Sequence, residues 1–259
     1  MTDMTSKIGM GVVAAALSTA AVAQAQTAAP QAEPAISAAS DMNWYLSESV
    51  DLHTFKDSGS TLFALNSTLG VDVTKDISLN LTIPVYTQDD NTTLSNLNLG
   101  GSWNFIGGKN DLIGNWDLAL GGGVYIPVGS EYFRNANVNP YLNAAFDCKL
   151  WLFDFKQTAE YRFDGGESYI TWLGAKTDSD IASLGTSLAY KWNSFDFGVE
   201  FDQFYYVNSG ENQLFLGPTA KWNLASNIDL NAKVLVPVSQ DVVTPEANAV
   251  FTAGIGIKF

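Results

Sequence analysis

The chain has 259 residues, enough for one large domain or two small ones, with 13 Lys and Arg against 27 Asp and Glu and a formal net charge of −14. A surface that binds nucleic acid needs clustered Lys and Arg, so this balance excludes a nucleic-acid partner. Hydrophobic residues make up 46 % of the chain, yet beyond the N-terminus no run is long and apolar enough for a membrane-crossing helix.

The first segment reads as an export signal. Lys7 stands in a short leading region, "IGMGVVAAALSTAAVA" is a small-residue apolar stretch, and "AQA" (Ala23 to Ala25) offers the residues that signal peptidase requires. The alternative, a buried helix, explains neither flank. Residues 1–25 are expected to be removed, with cleavage after Ala23 as the other option. Loss of Asp3 and Lys7 leaves the net charge unchanged. Residues 26–42 are Ala- and Pro-rich without periodicity and read as a flexible periplasmic segment. The single cysteine, Cys148, excludes an intramolecular disulfide, a CxxC pair and a Cys-rich zinc site.

From Asn43 to Phe259 the dominant pattern is period-two alternation, the mark of strands with two unlike faces. Twelve segments follow, near 43–56, 60–73, 77–87, 94–106, 115–127, 139–149, 151–163, 182–192, 195–207, 212–223, 227–237 and 248–259. In "NLNLGGSWNF", Leu97, Leu99, Gly101, Trp103 and Phe105 share one face, and Asn96, Asn98, Gly100, Ser102 and Asn104 the other. In "FDFGVEFDQF", Phe195, Phe197, Val199 and Phe201 oppose Asp196, Gly198, Glu200 and Asp202. Each segment is about as long as a tilted strand that crosses a bilayer, roughly 9 to 11 residues plus ends. Connections alternate between short turns ("TKD", "NS", "ASN") and longer polar loops, such as "TQDDNTTLSN" and "DGGESYITWLGAKTDSD". "IGGKNDLIGN" is the exception, a long connection on the short-turn side.

A soluble sandwich also yields alternating strands, so alternation alone leaves the partner of the apolar face open. Tryptophan placement separates the two. Trp44, Trp103, Trp116, Trp151, Trp192 and Trp222 all fall on the apolar parity, at the short-turn end of their strands, and only Trp172 stands elsewhere. A ring of Trp at one level is an interfacial girdle, which a sandwich core has no reason to form. An even strand number and loops of unequal length on the two sides agree. The expected fold is therefore all-β: a closed antiparallel transmembrane barrel of about twelve strands, running up and down.

On that reading the opposite parity lines the lumen. It carries Tyr45, Ser49, Asp51, His53, Asp117, Tyr125, Asp154, Lys156, Glu160, Arg162, Asp196, Glu200, Asp202, Lys221, Asp229 and Lys233. If water fills the barrel, the acidic excess favours cations weakly; if not, the mixed charges pair across a narrow interior. Tyr86, Tyr125, Tyr141, Tyr206, Phe204 and Phe215 lie near the loop end, where they either fill space or meet an apolar ligand. Ser49, Asp51 and His53, the only histidine, share one strand face. Side chains at i and i+2 start about 7 Å apart, too far for triad contacts of about 3 Å along a regular strand. No catalytic, cofactor or metal site is expected, and no phosphate-cradling or zinc-spaced motif occurs.

The segments "LNLTIPVY", "LALGGGVYIPVGS" and "LGPTAKWNLASNIDLNAKVLVPV", with a last strand ending in Phe, carry a resemblance. Over roughly residues 75–259 the chain resembles the outer-membrane transporters associated with the phenol meta-degradation pathway. Val128 departs from the pattern, standing where that family more often has Thr. The resemblance implies a Gram-negative outer-membrane barrel that passes or binds small, often hydrophobic molecules, and it brings no catalytic residues.

The closing stretch "FTAGIGIKF" fits such a barrel. Thr252, Gly254, Ile257 and Phe259 match the polar-x-Gly-x-x-apolar-x-aromatic signal read by the barrel-assembly machinery. The expected function is passive passage of a small solute, with lipid and lipopolysaccharide as surroundings and both termini periplasmic. A closed structural or adhesive barrel acting through its loops is the alternative, and a barrel enzyme using His53 the third. Composition does not fix the oligomeric state.

Overall fold

Strands form here because successive side chains of an extended chain point to opposite faces, and the sequence gives those faces opposite polarity. The computed structural model describes residues 42–56, 60–111, 113–164, 166–170, 175–241 and 247–259. The export signal and the Ala/Pro segment up to residue 41 lie outside the described residues, as does Trp172. In chain order the strands are β1 (Asn43–Phe55), β2 (Thr61–Asp72), β3 (Ile77–Gln88), β4 (Asn91–Leu94), β5 (Asn96–Asn110), β6 (Gly114–Pro127) and β7 (Asn139–Leu150). They continue with β8 (Phe153–Arg162), β9 (Ser168–Ile170), β10 (Ala175–Thr177), β11 (Ile181–Trp192), β12 (Phe195–Tyr206), β13 (Glu211–Ala225), β14 (Ile228–Asp241) and β15 (Ala247–Lys258).

Twelve of these close into one ring, in which every strand is antiparallel to its neighbours in chain order. β15 pairs with β14 on one side and with β1 on the other, from Tyr45↔Lys258 to Phe55↔Ala247. Phe259 extends the seam by donating its N–H to the Trp44 carbonyl. The fold is thus the expected closed up-and-down barrel, with β4 as one extra strand and β9–β10 as a separate hairpin. Among the described residues, closure pairs each of the twelve ring strands on both sides, which is the condition for crossing hydrocarbon.

The faces are inverted relative to a water-soluble protein. Leu69, Leu79, Leu99, Val199, Val236 and Phe251 are exposed on the outside, whereas Ser47, Ser49, His53, Thr68 and Thr82 are buried. Inside, the Thr68 and Thr82 hydroxyls bond each other at 2.8 Å. An apolar surface of this extent is not left to water, and lipid is the solvent that suits it. Within the wall, the Tyr141 ring crosses the sheet and donates to Asn98 Oδ1 at 2.9 Å. Its hydroxyl occupies the space that a Cβ on Gly100 would need, and a Cβ on Gly123 would meet the Leu99 carbonyl oxygen first and this hydroxyl next, which explains glycine at both positions.

Three details differ from the sequence expectation. The polar loop after β3 is a tight hairpin: Asp89 and Asp90 both take positive φ, 49° and 65°, and β4 returns along β3. The long connection expected near residues 106–114 is mostly strand, since β5 runs to Asn110 and β6 starts at Gly114. A bulge between Asn104 and Ile106 resets the alternation, so Phe105 and Ile106 are both exposed and Gly107 faces Asp117. The third is β9–β10, a hairpin inside what reads as an irregular loop.

Candidate functional site

Two adjoining cavities occupy the barrel interior. The one toward the short turns measures about 390 Å³ and is lined by Lys156, Glu200 and Asp202 among others. The one toward the long loops measures about 300 Å³ and is lined by Asp51, His53, Tyr86 and Lys233. Tyr125, Glu160, Arg162 and Phe204 line both, so they flank the junction.

The ionisable residues are organised as pairs. Lys233 Nζ lies 2.6 Å from Glu200 Oε1 and 4.0 Å from Asp202 Oδ2, with all three side chains less than a fifth exposed. Arg162 sits 3.4 Å from Glu160, donates to the Tyr125 hydroxyl at 3.0 Å, and stacks its guanidinium 4.0 Å from the Tyr125 ring centre. Asp51 accepts from Thr252 Oγ1 at 2.6 Å and from Asn66 Nδ2 at 2.9 Å. The same Asn66 amide reaches Ser49 Oγ at 3.5 Å. Asn66 therefore bridges Ser49 and Asp51, while His53 stands 2 % exposed, opposite Leu62 and Val250.

Nine of the sixteen residues that the sequence places on the lumen face line the cavities: Asp51, His53, Tyr125, Lys156, Glu160, Arg162, Glu200, Asp202 and Lys233. The other seven are not among the lining residues. Lys221 pairs with Asp229 at 3.4 Å, Asp154 with Lys149 at 3.7 Å, and Asp196 accepts from Asn223 at 3.1 Å. Asp117 packs against Gly107 and Tyr45 against Gly70. Trp44, Trp103, Trp151, Trp192 and Trp222 are exposed, and Trp116 lies over Gly108. By register all six stand next to short turns, Trp151 within one. Thr252 lines the loop-side cavity, Gly254 pairs with Ser49 and Asn231, Ile257 with Leu46 and Ile228, and Phe259 is exposed.

The long-loop mouth holds residues that alternation could not find. Phe133, fully buried, and Tyr169 pack among Phe55, Leu62, Phe215 and Leu235. Phe133 meets Tyr169 edge-on at 5.2 Å and Tyr86 at 5.9 Å. The Tyr169 hydroxyl donates to Gln88 Oε1 at 2.8 Å, and Ser95 Oγ donates to the Phe133 carbonyl. Two loops thus form an apolar cap over the loop-side cavity, which Tyr169 and Ile170 help to line. Phe215 belongs to this packing and Tyr206 to a second buried cluster with Ile170 and Ile181, whereas Tyr86, Tyr125, Tyr141 and Phe204 line open space. The available signal was a pair of large apolar or aromatic residues in each mostly polar loop, Tyr132 and Phe133 in "SEYFRN" and Tyr169 and Ile170 in "GESYI".

The cap is anchored by side chains at strand ends and in the loops. Asn139 Nδ2 donates to Asp164 Oδ1 at 3.0 Å, as does Ser168 Oγ at 2.7 Å, and Ala136 N–H bonds the Glu167 carbonyl. Burial holds the Asp164 carboxyl above its ordinary pKa, opposed by these bonds. Asp180 goes the other way: the hydrogen bond from the Tyr161 hydroxyl, then that from Asp164 N–H, lower its pKa.

The family model described as "Putative MetA-pathway of phenol degradation" matches residues 21–252. The chain belongs to this family. No curated protein sequence matches it. Among solved structures, this family member is similar to an outer membrane channel from Pseudomonas putida F1, at 13 % identity over 88 % of this chain and 100 % of that one, with a TM-score of 0.58. It is also similar to the NanC porin (10 % identity, 82 % and 100 % coverage, TM-score 0.55). The KdgM porin in complex with disordered oligogalacturonate is a third (9 % identity, 83 % and 99 % coverage, TM-score 0.55). At these identities the likeness is one of fold.

Proposed function

We propose that this protein is an outer-membrane channel that passes a small solute passively through the barrel, its long loops outside and both termini in the periplasm. The observation that carries this reading is a pair of adjoining polar cavities inside a closed barrel whose outer surface is apolar. Family membership and the fold shared with an outer membrane channel and two porins support it. Aromatic walls at Tyr86, Tyr125 and Phe204 suit a solute with an apolar part. The six Trp residues near the short turns serve as the interfacial girdle on the periplasmic side.

Small ions cross with a weak cation preference, because Asp51, Glu160, Glu200 and Asp202 outnumber Lys156, Arg162 and Lys233 along the cavities. Refolded protein in a planar bilayer under a KCl gradient should show a small reversal potential of cation-selective sign. Anion selectivity would overturn the charge argument, and an absence of any current would overturn the channel itself. A second reading, a closed structural barrel, is favoured by one observation, the aromatic cap over the mouth.

Thr252, Gly254, Ile257 and Phe259 are proposed as the segment that the assembly machinery reads. Deleting Phe259 should lower the amount of folded barrel recovered from outer membranes while purified protein still refolds in detergent. Equal recovery in cells would remove that role.

A further inference from the structure

Arg162 is the last residue of β8 and lines both cavities. Its guanidinium is fixed from two sides, by the Tyr125 ring beneath it and by Nη2 donating to Tyr125 and Glu160. The bond to Glu160 is long, 3.4 Å, so the acid holds the arginine loosely. The Nε–H, by contrast, is buried and meets no acceptor. A buried donor without a partner is costly, and a guanidinium edge has the geometry of a carboxylate fork. Cations are also spaced along the path, with Lys156 in the cavity below and Lys233 in the cavity above. Around the junction Tyr125 and Phe204 supply flat aromatic surfaces, and Thr82, Asn98 and Ser183 supply short polar side chains.

We propose that Arg162 is a solute-binding residue at the cavity junction, and that the solute it takes is a small carboxylate on a flat apolar body. The carboxylate takes the Nε/Nη2 edge by displacing Glu160 from its long bond to Nη2, while Tyr125 and Phe204 flank the body. This rests on the reading of the interior as a solute path, and it names the class of solute. It is compatible with weak cation preference for free ions, since one fixed donor edge recognises a group without reversing the charge of the lumen.

The test is equilibrium titration calorimetry on the refolded full barrel, with benzoate as the probe, benzamide as its neutral isostere and inorganic phosphate as the other oxyanion. Benzoate should bind, with benzamide and phosphate weaker by roughly tenfold or more. Arg162→Ala should lose about as much for benzoate and leave benzamide unchanged. Arg162→Lys, which keeps the charge but not the fork, should recover only part. Equal affinity of the wild type and Arg162→Ala for benzoate, no benzoate binding by the wild type, or benzoate equal to benzamide each overturns the proposal. Tighter phosphate than benzoate overturns the carboxylate assignment. Glu160→Gln, which keeps the barrel polar and frees the arginine, guards against misfolding and should bind benzoate more tightly. Binding without flux would leave this site standing and remove the channel, whereas flux without binding that depends on Arg162 would do the reverse.

Discussion

Replacing Phe133 and Tyr169 together by Ala should raise the single-channel conductance of the refolded barrel several-fold. Both rings sit inside the long-loop mouth, where they contact each other and Tyr86 and help to roof the loop-side cavity. Ions cross an aromatic constriction more slowly than a polar lumen, so the cap, rather than the junction at Arg162, is expected to set the resistance. The cap is held by loop hydrogen bonds and not by the barrel ladder, so truncating it should spare the twelve-strand ring. The same substitutions remove packed aromatic volume, and a loss of about 3 kcal/mol or more in unfolding free energy should accompany the gain in current. Planar-bilayer recording and urea unfolding in detergent micelles measure the two effects. An unchanged conductance in a folded double variant would place the barrier elsewhere and favour the closed structural barrel.

Lys233→Met should be the most destabilising single change in the interior. The ammonium lies against Glu200 and Asp202, and all three side chains are mostly buried. Removing it leaves two carboxylates facing one another without a counter-charge. Breaking a buried pair in this way costs about 3–5 kcal/mol, and the residual exposure of these side chains favours the lower end. Neutralising the acids as well, in Lys233→Met/Glu200→Gln/Asp202→Asn, should restore most of the loss. Urea midpoints of the wild type and the two variants decide it: a triple variant no more stable than the single one would mean that packing, not charge, is at stake.

The barrel itself was legible because alternation acts over every strand and one residue of slip would turn a whole strand inside out. Parity also brought Glu160, Arg162, Glu200, Asp202 and Lys233 to one face of the sheet. What parity could not supply is depth. Asp154, Asp196, Lys221 and Asp229 share the inward face but stand nearer the short turns, where they pair with neighbours outside the cavities. Nor does parity survive an inserted residue, which is why the bulge at Phe105 kept Phe105 and Ile106 both outward. The cap escaped for a different reason. Phe133 and Tyr169 lie in connections whose course depends on distant partners such as Ser95 and Gln88, and local composition does not encode those contacts.

The seam between β1 and β15 carries a kinetic consequence. Its pairs join residues about as far apart in sequence as the described chain allows, Tyr45 with Lys258 and Asp51 with Thr252. Such contacts are the slowest to find by diffusion, because the entropy of closing the intervening loop is lost before any bond is made. Until they form, an eleven-hairpin sheet exists with both borders open to pairing with another chain. Ring closure is therefore the step at which this polypeptide is most exposed to misassociation, and a catalyst that holds the two borders together would act on that step above all others.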